Sequence, residues 1–115
     1  MQATLGAAKQ AQQRLNCFVR IDEEDALSAA KAADRSLGRG AVAGPLAGVP
    51  MAHKDMYYRE GVPSSCGSKI GPGRPATTTA TALKRLDAAG AIQFAADNAD
   101  VLQAGLGVVD HERAV

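Results

Sequence analysis

Large aromatic side chains are scarce: the 115 residues hold two Phe, two Tyr and no Trp. Alanine is the commonest of the apolar residues, which together make up 46% of the chain. Alanine removes little area from water, so a core of this composition is thin. Two cysteines, Cys17 and Cys66, are too few and too poorly accompanied for a disulfide framework or a zinc site. No apolar run approaches the ~20 residues that span a bilayer. Thirteen basic and twelve acidic residues leave a net charge of +1. That balance offers neither a nucleic-acid footprint nor a polybasic membrane patch. The opening stretch MQATLGAAKQAQQRLN has no secretory apolar region, so a cytoplasmic location is expected.

What is present reads as alternating elements. Residues 3–14 are rich in the helix formers Ala, Leu, Lys and Gln. A short extended run follows over 15–21. Asp22 then stands as an N-cap, with Glu23, Glu24 and Asp25 where a helix dipole favours negative charge. Ala26, Ala30, Ala33 and Leu37 fall on one face of a helix over 23–37, which Gly38 and Gly40 end. Residues 38–48 form a loop with a turn at Gly44-Pro45. Residues 49–54 predict a short strand, and 57–76 a long irregular segment of the kind that often carries function. A helix is expected over 77–89, capped by Thr77 or Thr78 and stopped by Gly90. Residues 91–95 predict a second short strand, and 98–105 one or two more helical turns. Strand, loop, helix, strand is the order of an α/β unit, and these strands look like part of a larger sheet.

Lys54 stands out because it ends an apolar strand. Three roles fit an ammonium there. Its stem packs while its head reaches water. It pairs with Asp55 or another carboxylate. Or it is a buried catalytic base that takes a proton as the neutral amine. Spacing alone does not choose among them. His53, with no acid placed to orient it, reads as a strand-packing residue, and His111 as a solvated tail residue. Cys66 reads as a small buried residue rather than a nucleophile. Tyr57 and Tyr58 either line a channel or pack over the sheet edge, with packing favoured. The glycines of 38–48 lack the Gly-Lys-Ser/Thr of a phosphate loop.

Longer motifs narrow the choice. Leu15-Asn16-Cys17-Phe18-Val19, Asp22–Leu27 and Ala29–Asp34 resemble the N-terminal helical region of amidase signature enzymes. Gly44-Pro45-Leu46-Ala47-Gly48-Val49-Pro50, followed by Lys54-Asp55, resembles the segment with that family's catalytic lysine. Gly61-Val62, Cys66–Lys69, Ala80-Thr81, Arg85-Leu86 and Ala88–Ala91 continue the likeness in order to about residue 95. The resemblance implies an α/β fold, the N-terminal fragment of a mixed central sheet flanked by helices. Within it, 1–40 would be the N-terminal helical region, 41–105 the start of the α/β core and 106–115 an irregular tail. The resemblance also implies acyl transfer from a carboxylic amide through a Ser–Ser–Lys triad. Lys54 would act through a bridging serine as base toward the nucleophilic serine, then return a proton to the leaving amine. The implied substrate is a small amide, with no cofactor, metal, nucleic acid or membrane.

The pattern departs from the family in two places. The family's two serines and its oxyanion hole come from a Gly/Ser-rich stretch further along, and residues 1–115 contain none. Ser64 and Ser65 are adjacent but sit in a loop with no such turn around them. Residues 94–100 read Phe-Ala-Ala-Asp-Asn-Ala-Asp, sharing Asn98 with the family but not its basic residue or its Met. Two other readings therefore stand beside an amidase. One is the amidase-type component of a tRNA-dependent amidotransferase, which releases ammonia from glutamine and works with partner subunits. The other is a non-catalytic remnant from a truncated or frameshifted gene, forming a homo-oligomer or pairing with a full-length homologue through the 23–37 helix and the sheet edge. By itself the chain is expected to release no ammonia from glutamine or simple amides. Turnover abolished by Ser65→Ala would instead place the nucleophile in the 64–65 loop.

Overall fold

The computed structural model describes residues 1–66 and 74–97. In chain order they form α1 (Gln2–Leu15), β1 (Phe18–Ile21), α2 (Glu23–Gly38), β2 (Pro50–Lys54), α3 (Thr81–Ala88) and β3 (Ile92–Asp97). The expectations for 98–105 and 106–115 lie outside the described residues. The strands form one mixed sheet in the order β1-β3-β2, with β1 antiparallel and β2 parallel to the central β3. Helices flank it, as the α/β reading expects. No described helix is long and apolar enough to cross a membrane.

The central strand carries more of the buried apolar residues than any other described element. Ile92, Phe94, Ala95 and Ala96 are all buried, the near-continuous pattern of a strand covered on both faces. Leu5 and Ala8 of α1 and Ala26 of α2 pack with Phe94 and Ala95 into one cluster, joined by Phe18, Ile21, Leu27 and Ala52. The rings of Phe18 and Phe94 meet edge-on at 6.0 Å and 67°, a contact worth about 0.5–1.5 kcal/mol beyond its burial. Five of the nine buried apolar residues described are alanines, as the composition implies.

Local chemistry sets the element ends. Asn16 closes α1 in the left-handed conformation (φ 47°), its N–H bonded to Gln12 O. The Gln12 side chain then donates to Asn16 Oδ1 and accepts from Phe18 N at 2.7 Å, steering the chain into β1. Asp22 is the N-cap of α2, but its carboxylate makes no capping bond. Both of its oxygens accept from Arg20 Nε instead. The third helix starts at Thr81, four residues after its expected start, and neither Thr77 nor Thr78 caps it. The preceding residues are tied to the other end of the long loop. Gly61 N donates to Ala76 O, Ala76 N to Val62 O, Glu60 N to Thr79 Oγ1 and Ala80 N to Tyr58 O. The second predicted strand runs on from residue 95 to Asp97.

The Gly44–Gly48 turn fixes where β2 lies. Leu46 N donates to Ala89 O, Gly48 N to Gly90 O and Ile92 N to Val49 O. The two backbones approach so closely that side chains are excluded. A Cβ on Gly44 would lie 2.4 Å from Ala89 O, and one on Gly90 (φ +95°) 2.9 Å from Ala47 Cα. Gly44→Ala is therefore expected to lower the thermal midpoint, at a cost of about 1–3 kcal/mol. Gly6→Ala, in α1 with nothing within 4 Å, should leave it unchanged or stabilise by up to about 1 kcal/mol. Equal midpoints for the two variants would mean that the turn does not rest on Ala89.

Candidate functional site

Lys54 is the last residue of β2 and is partly buried. In the parallel pair its register partner is Asp97, the last residue of β3, two positions beyond the Ala52–Ala95 pair. Side chains alternate along a strand, so Lys54 rises on the same side of the sheet as Ala52. That side packs on α1 and α2. Asp97 Oδ1 is buried and has no hydrogen-bond partner among the described residues. The amine and this carboxylate thus end two neighbouring strands.

The next residue organises the loop beside the lysine. Asp55 is 2% exposed. A buried carboxylate requires donors, and its Oδ2 has three: Ser65 N at 2.8 Å, Ser65 Oγ at 2.6 Å and Cys66 N at 2.8 Å. Cys66 reaches this arrangement with φ 49°. Ser64 Oγ donates to the main-chain carbonyl of Asp55. Tyr57 N donates to Lys54 O at 3.0 Å, turning the chain away from the sheet. The carboxylate considered as an ion-pair partner for Lys54 thus serves to hold residues 65 and 66. Sequence reasoning missed that role, because nothing local in Lys-Asp signals a bond to a residue ten positions on.

The other candidates separate. His53 is buried, as a packing residue should be. Its Nδ1 has no partner among the described residues. Cys66 is exposed rather than buried, because its N–H rather than its thiol is used inward. Tyr57 and Tyr58 are exposed rather than packed over the sheet edge, because the turn after Lys54 carries them outward. His111 lies outside the described residues. Arg59, which attracted no attention in the sequence, donates to both Asp87 oxygens and to Gln93 Oε1, tying the long loop to α3 and β3. Among the described residues no group of three or more His, Cys, Asp or Glu could hold a metal.

Burial lowers the pKa of His53 below 6.5, helped by the positive charges of Arg59 and Arg20 and opposed by Asp97 and Asp22. The folded state keeps the imidazole neutral, and the unfolded chain takes up a proton near its ordinary value. The resulting stability is complete above about pH 6.5 and falls as the pH drops through the lowered folded value. His53→Gln is expected to flatten the decline of the thermal midpoint between about pH 7 and pH 5. An equally steep decline in the variant would assign the acid sensitivity to other groups.

Comparison with known proteins places this geometry in a larger setting. The family model described as Amidase matches residues 1–109. The chain is 42% identical over 105 residues to a glutamyl-tRNA(Gln) amidotransferase subunit of Lachnospira eligens, covering 91% of this chain and 22% of that protein. Among solved structures it resembles a chain of the vestigial protein complex tied to the origins of an s-triazine catabolic enzyme. That match has a TM-score of 0.78 and 35% identity, and covers 84% of this chain and 21% of the other. It also resembles the native peptide amidase of Stenotrophomonas maltophilia, with a TM-score of 0.76, 30% identity, and 84% and 20% coverage. The chain spans about a fifth of the length of the curated relatives it matches.

Proposed function

The chain belongs to the amidase family, and from that membership we propose that it carries the catalytic lysine, Lys54, of an enzyme that cleaves carboxylic amides. The glutamyl-tRNA(Gln) amidotransferase type is the first reading, with glutamine as the amide hydrolysed, because the curated relatives cited for the match are of that type. A small-molecule or peptide amidase is the second, favoured by the likeness to peptide amidase. Both use the same residue in the same way.

The observation that carries the reading is the placement of Lys54. It ends an outer strand of the described sheet, partly shielded from water, and is followed directly by the buried carboxylate that holds the next loop. An amine at the end of a strand is held in a fixed direction, as a general base requires. In the proposed reaction Lys54 Nζ takes the proton of a bridging serine. That serine takes the proton of the nucleophilic serine as its oxygen attacks the amide carbon. The proton then returns by the same route to the leaving nitrogen, so the amine departs neutral and the acyl group stays on the serine. Both serines are supplied from outside residues 1–115. Exposed Leu37, Val42 and Val49 around the Gly44–Gly48 turn support a fold in which further polypeptide covers this part of the molecule.

The test is a segment exchange. Residues 15–97 replace the aligned segment of the L. eligens amidotransferase chain, which is assembled with its own partner subunits, and ammonia release from glutamine is measured. The chimera is expected to be active, and Lys54→Ala in it to lose activity by about 10²–10⁴-fold. Full turnover in the Lys54→Ala chimera would remove Lys54 from the mechanism. Activity on simple amides but not on glutamine would favour the second reading.

A further inference from the structure

We propose that Ser65, held by Asp55, is a positioning residue for the Lys54 amine: its hydroxyl oxygen receives an N–H of Lys54 and thereby aims the nitrogen. The proposal rests on the proposed role of Lys54, and its test is arranged to separate the two.

A serine hydroxyl has one hydrogen to donate and two lone pairs with which to accept. The carboxylate of Asp55 is an acceptor only, so across the 2.6 Å contact it is Ser65 that donates. The only hydrogen on Ser65 Oγ is then committed, and the oxygen has only lone pairs to present elsewhere. Lysine is the complement of such a group. It offers three N–H donors when charged and two, with one lone pair, when neutral. A neutral Lys54 amine can give Ser65 a hydrogen but receives none from it. Its own lone pair therefore points away from Ser65, toward whatever hydroxyl supplies the proton in the reaction.

Three features hold Ser65 in place for this. Its own N–H and that of Cys66 bind the same Asp55 oxygen as its hydroxyl does. Asp55 is buried, so water does not compete for those bonds. Asp55 also follows Lys54 directly, and the Tyr57 N to Lys54 O bond closes the turn that contains it, so the residue that holds Ser65 is fixed relative to the lysine backbone. The same logic separates Ser65 from the nucleophile. With its hydrogen given to Asp55, it is arranged to accept from the lysine rather than to be deprotonated by it.

Two measurements test this. The first uses the 115-residue chain and follows hydrogen exchange of the lysine side-chain N–H groups by NMR. Lys9, Lys31 and Lys84 are not buried and serve as internal references. Exchange at Lys54 Nζ is expected to be at least tenfold slower than at these three. Ser65→Ala should bring it to their rate, Ser65→Thr, which keeps the hydroxyl, should restore the slow rate, and Asp55→Asn should give an intermediate one. Unchanged slow exchange in Ser65→Ala would overturn the proposal, as would fast exchange at Lys54 in the unaltered chain. The second uses the active chimera and a double-mutant cycle on kcat. If Asp55 acts through the Ser65 hydroxyl, Asp55→Asn lowers kcat at unchanged KM in the parent but changes nothing further in Ser65→Ala. Additive losses would overturn the proposed route and leave Asp55 as a structural residue only. Slow exchange that depends on Ser65, together with full activity in Lys54→Ala, would retain the positioning contact and refute the catalytic role of the lysine.

Discussion

The close approach of two backbones, Gly44–Gly48 against Ala89–Gly90, is the constraint on which the rest of the structure depends. Hydrogen bonds from Leu46 and Gly48 to this second turn, and from Ile92 back to Val49, start β2 and β3 side by side. Once the starts are aligned, the residues at the far ends follow by counting. Lys54 then lies opposite Asp97 because Pro50 lies opposite Ile92 and one irregularity intervenes. A methyl group on Gly44 or Gly90 would push the strands apart where they begin, and the displacement would be carried to the lysine.

The second fixed point is the Asp55 carboxylate. It takes three donors on one oxygen, two of them backbone N–H groups, and it does so in the interior. Charge-assisted bonds of this kind are short and directional. They hold an irregular segment in place without any regular secondary structure. Arg59 performs the same service at the other end of the loop by bridging Asp87 and Gln93. Two acid-centred contacts thus do what a larger hydrophobic core would do in a chain richer in aromatics.

Much of this was legible in the residues. The α2 helix is written in its acidic first turn, its alanine face and its terminal glycines. β2 and β3 follow from short apolar runs between glycines. The alternative roles for Lys54 followed from a charge at the end of such a run. What was not legible has one physical cause: side chains and backbone groups bonded away from their expected local partners. The Asp22 carboxylate was expected to cap a helix, but Arg20 lies closer to hand. Thr77 and Thr78 looked like caps, but residues 75–80 are tied to 58–63. Cys66 was read as a small buried residue rather than a nucleophile, whereas the loop uses its N–H and leaves the residue exposed. Ser65 and Arg59 carry no local signal at all, since their partners lie ten and more positions away.

The irregularity in β3 has a consequence of its own. Between the Met51–Gln93 and Ala52–Ala95 pairs, β3 advances two residues while β2 advances one. Phe94 is the extra residue, and its carbonyl accepts from Asp22 N at the start of α2. The strand therefore changes phase at Phe94, as a musical line does when one beat is inserted. Everything downstream of that beat, Asp97 included, is shown to the opposite side from the one a regular ladder would give it. The side of the sheet on which a carboxylate stands next to Lys54 is thus decided by an aromatic residue three positions away, with no charge of its own.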